Sequence, residues 1–93
     1  METRTVKEIL IAARKRIEKP QNWLRHSYYN KNKTAFCAAG AIREEDGTIG
    51  PIQSPALTAL RQVIGKDDLI GDFNDTHTHA EVLAAFDKAI AES

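Results

Sequence analysis

Two capping boxes constrain this chain more than any other feature in it. Thr5 with Glu8 forms one and Thr78 with Glu81 the other. In each, the hydroxyl accepts from the N–H three residues on and the carboxylate accepts from the N–H of the cap. Behind the first, Val6, Ile9, Leu10, Ala13 and Ile17 recur at helical spacing; behind the second, Val82, Leu83, Phe86, Ala89 and Ile90 do. Each pattern puts one apolar stripe on one helix face, so two amphipathic helices are expected on a common core. The first is expected from Val6 to Glu18, because the residue before Pro20 is disfavoured in the α region.

The middle of the chain reads as further helices joined by two exposed connections. Thr34 is placed to cap a helix through Arg43 whose first turn holds Ala35, Phe36 and Cys37. Alanine density favours helix there, and Gly40 inside it signals close approach by another element. Glu44 to Ser54 reads as a loop with turn signals at Asp46-Gly47 and Gly50-Pro51, and a short hairpin arm is expected near 47–53. Ser54-Pro55 opens a helix carrying Leu57, Leu60, Val63 and Ile64, and Gly65 stops it. Asp67 to Phe73 reads as a short helical turn before the last helix. The expected fold is therefore all-α: a single domain over residues 1–93, with four main helices and one short one.

Composition excludes several classes. The chain has 93 residues, 42% apolar and 28% charged, as in an ordinary globular domain with one modest core. No apolar run approaches the length of a membrane span, and Met1 is followed by polar and charged residues, so neither a membrane segment nor a signal peptide is expected. A single cysteine cannot form an internal disulfide, which points to the cytoplasm. No cofactor-binding motif is present, and no cofactor is expected.

The zero net charge hides a split. Residues 1–34 hold nine Lys/Arg against three Asp/Glu, and residues 35–93 hold four against ten. Such asymmetry marks either a basic surface for nucleic acid or an acidic partner, or two halves that pack together and neutralise each other. Within the basic part, Trp23, Arg25, His26, Tyr28, Tyr29, Lys31 and Lys33 interleave cations with aromatics, the composition that grips single-stranded nucleic acid. Against that stands a plain connection with two half-buried tyrosines and a turn at Asn30 to Lys33. The basic segment 14–33 is the expected contact for a protein or nucleic-acid partner, and a homodimer stays open as an assembly.

The chemistry-bearing groups cluster near the last helix. His79 lies four residues before Leu83 and shares its inward stripe, with Asp72, Asn74, Asp75 and His77 just upstream. Cys37 in a first helical turn would feel the positive end of the macrodipole, which favours thiolate. The opposing reading is a packed, inert cysteine, since free cysteine is among the most buried residue types.

Phe36-Cys37-Ala38-Ala39-Gly40-Ala41 and Asn74-Asp75 followed by Thr78-His79-Ala80-Glu81-Val82-Leu83, with the leading helix and Trp23, resemble a family of small, functionally uncharacterised proteins of bacteria and their phages. The resemblance covers most of the chain apart from the segments around Tyr29 and Thr48. It implies no established activity, but it directs attention to Cys37, Asn74, Asp75 and His79.

Three functions follow as expectations. In a cysteine hydrolase or transferase, Cys37 is the nucleophile, His79 its base, and Asn74 or Asp75 orients the imidazole. In a metal site, Asp72, Asp75, His77 and His79 bind the ion, joined by Cys37 or His26. The favoured expectation is a small binding protein. There His79 hydrogen-bonds Asn74 or Asp75 in a structural network beside a packed Cys37, and partners meet the exposed segment 23–33 and the acidic residues 44–46. With the phage association that the resemblance implies, the partner is a host protein, a nucleic acid or a small signalling ligand.

Overall fold

In the computed structural model, which describes residues 4–48, 54–65 and 70–93, both capping boxes are in place. Thr5 Oγ1 accepts from Glu8 N at 3.1 Å, and Glu8 Oε1 from Thr5 N at 2.9 Å. They start helix α1 (Val6–Arg16). It ends two residues before the predicted Glu18, because the Ile17 N–H turns back to Arg14 O in a tighter step. A 3₁₀ turn at Pro20–Asn22 follows.

The next helix starts later than predicted. Thr34 is not its cap: Asn30 holds Thr34 through paired side-chain and backbone bonds. The carbonyls of Ala35 and Phe36 accept from Asn30 N and Leu24 N across the connection, which holds both residues out of the helix. The first free carbonyl is that of Cys37, which accepts from Ala41 N at 2.9 Å. Helix α2 therefore runs Ala38–Asp46, with Cys37 as its N-cap rather than a first-turn residue. Glu44 to Asp46, expected in a loop, form its last turn, and Gly47 ends it with φ +75°. Of the expected hairpin arm, residues 49–53 lie outside the described residues.

Helix α3 (Pro55–Ile64) begins as read, with Ser54 Oγ accepting from Leu57 N at 3.2 Å. Helix α4 is Ile70–Thr76 and runs past the predicted end at Phe73; the start of that predicted turn, 67–69, lies outside the described residues. Helix α5 (His79–Ala91) is capped by Thr78. Among the described residues there are five α-helices and no strand, only isolated bridges from Phe36 to Trp23 and to Tyr29.

The stripes read from the sequence meet in one core. Leu10, Ala13 and Ile17 of the first helix lie against Ala38, Ala41 and Ile42 of α2, Leu57 and Leu60 of α3, and Val82, Phe86 and Ala89 of α5. Phe86 is fully buried at the centre. Trp23 packs on the edge of this core.

Gly40 is where the connection lies on α2. A Cβ there would stand 1.9 Å from the Tyr28 carbonyl oxygen, and that oxygen is fixed by the Cys37 N–H at 3.1 Å. The close approach predicted from the glycine is thus between two backbones.

The two oppositely charged parts of the chain pair with each other. Arg4 and Arg16 both donate to Glu45, Arg14 to Asp87, and Lys33 Nζ lies 3.7 Å from Glu44. Arg25 donates to the His77 carbonyl at 2.6 Å. Part of the charge split is thus an internal neutralisation, through Arg4, Arg14, Arg16 and Lys33. Glu45 resists ionisation through burial, but the two arginines outweigh this and hold its carboxyl below the ordinary 4.5.

Two stability effects follow. Gly40→Ala should cost about 1–3 kcal/mol or more, since a backbone oxygen cannot step aside. Gly47→Ala, with nothing within 4 Å, should cost only the about 1–2 kcal/mol of a left-handed residue. Thermal melts of the two variants should rank them in that order. A carboxyl depressed in the fold stabilises above its unfolded pKa and loses that contribution as pH falls through its lower folded value. Wild type should therefore lose stability as pH falls below about 4.5, and Glu45→Gln should lose less over the same interval in acid denaturation.

Candidate functional site around Asn74 and Tyr28

Helix α4 carries one polar side chain into the core. Asn74 is fully buried, and its amide makes bonds to four groups. Its Oδ1 accepts from Trp23 Nε1 at 2.6 Å and from the Ala38 N–H at 3.0 Å. Its Nδ2 donates to the Leu24 carbonyl at 2.9 Å and lies 3.3 Å from Asp75 Oδ1. The Ala38 N–H is one of the unpaired donors at the start of α2, so Asn74 closes that helix end from another element. Asp75 continues outward. Its Oδ1 accepts from the His26 N–H at 2.8 Å, while Oδ2 lies 3.4 Å from His26 Nδ1. His26 holds φ +69°, a conformation that histidine tolerates better than most residues. Burial opposes ionisation of Asp75, but the bonds from His26 N–H and Asn74 and the nearby His26 and Arg25 charges together hold its carboxyl below the usual range.

Cys37 is 3% exposed, and its Sγ accepts from the Gly40 N–H at 3.3 Å as the cap of α2. Burial pushes its thiol up from the ordinary value, with the Asp75 charge adding to the rise and the amides of Gly40 and Ala39 opposing it. Of the two readings of Cys37, this favours the packed cysteine over the helix-start thiolate, because desolvation outweighs the helix end.

His79 does not bond to Asn74 or Asp75. Its Nε2 lies 2.6 Å from the Ile17 carbonyl, which can only accept, so Nε2 carries the proton. That carbonyl belongs to the end of α1, and His79 closes it as Asn74 closes the start of α2. The imidazole also lies 5.3 Å from the Trp23 ring. A Cys37–His79 couple is not assembled by any bond; the histidine that shares an opening with Cys37 is His26. Cys37, His26, Ser27, Tyr28, Gly71 and Asp75 line that opening, of about 310 Å³.

The groups named for a metal site diverge. His77 stacks on Phe73 at 3.9 Å with Nδ1 on the Phe73 carbonyl, and His79 faces α1. Among the described residues no three of His, Cys, Asp and Glu gather as a metal site would require.

The basic-aromatic segment divides in two. Trp23, Arg25 and His26 are tied to the Asn74 end, Arg25 lying 5.0 Å from the Trp23 ring. Tyr28 and Tyr29 are exposed, at 52% and 47%, and Lys31 and Lys33 stand with them at the outer turn. Lys33 lies 4.9 Å from the Tyr29 ring, and Arg43 of α2 lies 5.5 Å from the Tyr28 ring. These side chains, with Gly40 and Glu44, line a trough of about 420 Å³. Arg43 was missed in the sequence, hidden among acidic neighbours. The signal was Gly40, since a residue three further along shares the face on which another element lies.

Loss of the Asn74 amide should weigh more than loss of a cap. Asn74→Ala strands Trp23 Nε1, the Ala38 N–H and the Leu24 carbonyl, at about 1–3 kcal/mol for each buried group left unpaired. Thr78→Ala should cost about 0.5–2 kcal/mol. Urea denaturation of both beside wild type should show the larger drop in midpoint for Asn74→Ala.

The model of a family of unknown function (DUF6197) matches residues 1–92. No curated protein and no solved structure matches the chain.

Proposed function

The chain belongs to that family of unknown function, and from the geometry of its site we propose that it is a small binding protein rather than an enzyme. One observation carries this reading. Cys37, the only nucleophile of the expected triad, is spent as a buried helix cap with its thiol pushed toward the neutral form. The recognition surface is the trough flanked by Tyr28, Tyr29, Lys33 and Arg43. There the aromatic faces are exposed, and Tyr28 is held firmly by its carbonyl on Cys37 and its contact with Gly40.

Of the partners considered, a small signalling ligand suits this surface best. Its volume of about 420 Å³ falls in the ordinary range for small-molecule sites. Extended nucleic acid suits it less, because Arg4, Arg14, Arg16 and Arg25 already have acceptors within the fold. The setting is the bacterial cytoplasm, the protein serving as an accessory factor of the bacterium or its phage, in line with the resemblance drawn from the sequence.

Cysteine chemistry is the second reading, and one observation favours it: Cys37, His26 and Asp75 line one opening. Alkylation kinetics separate the two. With iodoacetamide at neutral pH, native Cys37 should react more slowly than in the unfolded chain, because only thiolate attacks. A native rate above that of the unfolded chain would replace the binding reading by the enzyme one.

A further inference from the structure

We propose that the cavity lined by α2, α3, α4 and Tyr28 is an oxyanion site for the phosphate group of a small molecule, held by Arg43 and Arg61. This rests on the binding reading and names the chemistry of the ligand. Arg43 and Arg61 line one cavity of about 190 Å³. Arg43 Nε and Nη1 and Arg61 Nε are buried, and none has a hydrogen-bond partner among the described residues. The other four arginines all donate: Arg4 and Arg16 to Glu45, Arg14 to Asp87, and Arg25 to the His77 carbonyl.

Buried guanidinium N–H groups without an acceptor are costly, and two like charges on one cavity add repulsion. An anion with several oxygens and more than one charge relieves both. A phosphate dianion can accept from both guanidiniums and balance them, whereas one carboxylate carries half that charge. Leu57 and Ile70 supply apolar wall. Tyr28 and Arg43 line both this cavity and the trough toward Tyr29 and Lys33. A ligand with its phosphate on Arg43 and Arg61 can thus lay an aromatic or apolar remainder along Tyr28 and Tyr29. Asp72 also lines the cavity, and its carboxylate opposes the anion, so Asp72→Asn should tighten binding.

The probes are inorganic phosphate, AMP and adenosine, each titrated by calorimetry at fixed ionic strength in chloride, with thermal melts alongside. Inorganic phosphate should bind saturably and raise the melting temperature above that in chloride. AMP should bind more tightly than phosphate, and adenosine should bind far more weakly than AMP. Arg61→Met should weaken phosphate and AMP by about tenfold or more, with partial recovery in Arg61→Lys. Its melt without ligand should equal or exceed that of wild type, because a buried N–H donor without an acceptor has been removed. Melts identical in phosphate and chloride with no saturable heat would overturn the proposal. So would adenosine binding as tightly as AMP, or Arg61→Met binding phosphate like wild type. The two readings fail differently. A phosphate-indifferent protein with a protected Cys37 loses the oxyanion site alone, whereas a rapidly alkylated Cys37 removes the binding reading beneath it.

Discussion

The Asn74 amide is the interaction on which the rest of this structure depends. The connection between α1 and α2 is irregular, and although many of its backbone groups bond one another, the Leu24 carbonyl is met by a side chain from α4. Asn74 supplies an acceptor to Trp23 and to the first N–H of α2, and a donor to the Leu24 carbonyl. One side chain thereby sets where the connection lies, where α2 begins, and how α4 sits against both. The position of Tyr28 follows, because its carbonyl meets Cys37 and its backbone rests on Gly40.

Charge is arranged on the same plan. Cations from the first third of the chain meet acids of α2 and α5, so a sequence that looks polarised folds into a surface of local pairs. Exposed pairs of this kind are each worth little, at about 0–1 kcal/mol, and their larger effect is to settle which helix neighbours which. Among the described residues Arg43 and Arg61 stand outside this pairing and line one cavity, which is why that cavity, and not the basic segment, draws attention as an anion site.

Much of the helical frame was legible. Capping boxes and Ser-Pro and Gly signals are local, so they fix helix starts and ends without knowledge of the fold, as at Thr5, Ser54 and Thr78. The start of α2 was not legible, because alanine propensity favours helix through Ala35 and Phe36 while their carbonyls are claimed by Leu24 and Asn30, residues brought near only by folding. Site partners failed for the same reason. From the sequence, His79 was paired with Asn74 or Asp75 close by, or with Cys37 as its base. In the fold His79 and Asn74 both reach back across the chain, His79 to Ile17 and Asn74 to Trp23, Leu24 and Ala38. Helical ends leave orphan groups that distant side chains satisfy, and sequence spacing carries no record of that.

The tryptophan described above has a practical consequence. Trp23 is the chain's one indole, its N–H is bonded to Asn74, and its ring lies beside His79. Its emission is therefore a reporter on a single place, the seam where the connection is sewn to α4 and α5, and is blind to the helices elsewhere. Circular dichroism sees the opposite, helix content without the seam. Recorded together, the two signals distinguish a molecule whose connection has come away from one that has unfolded.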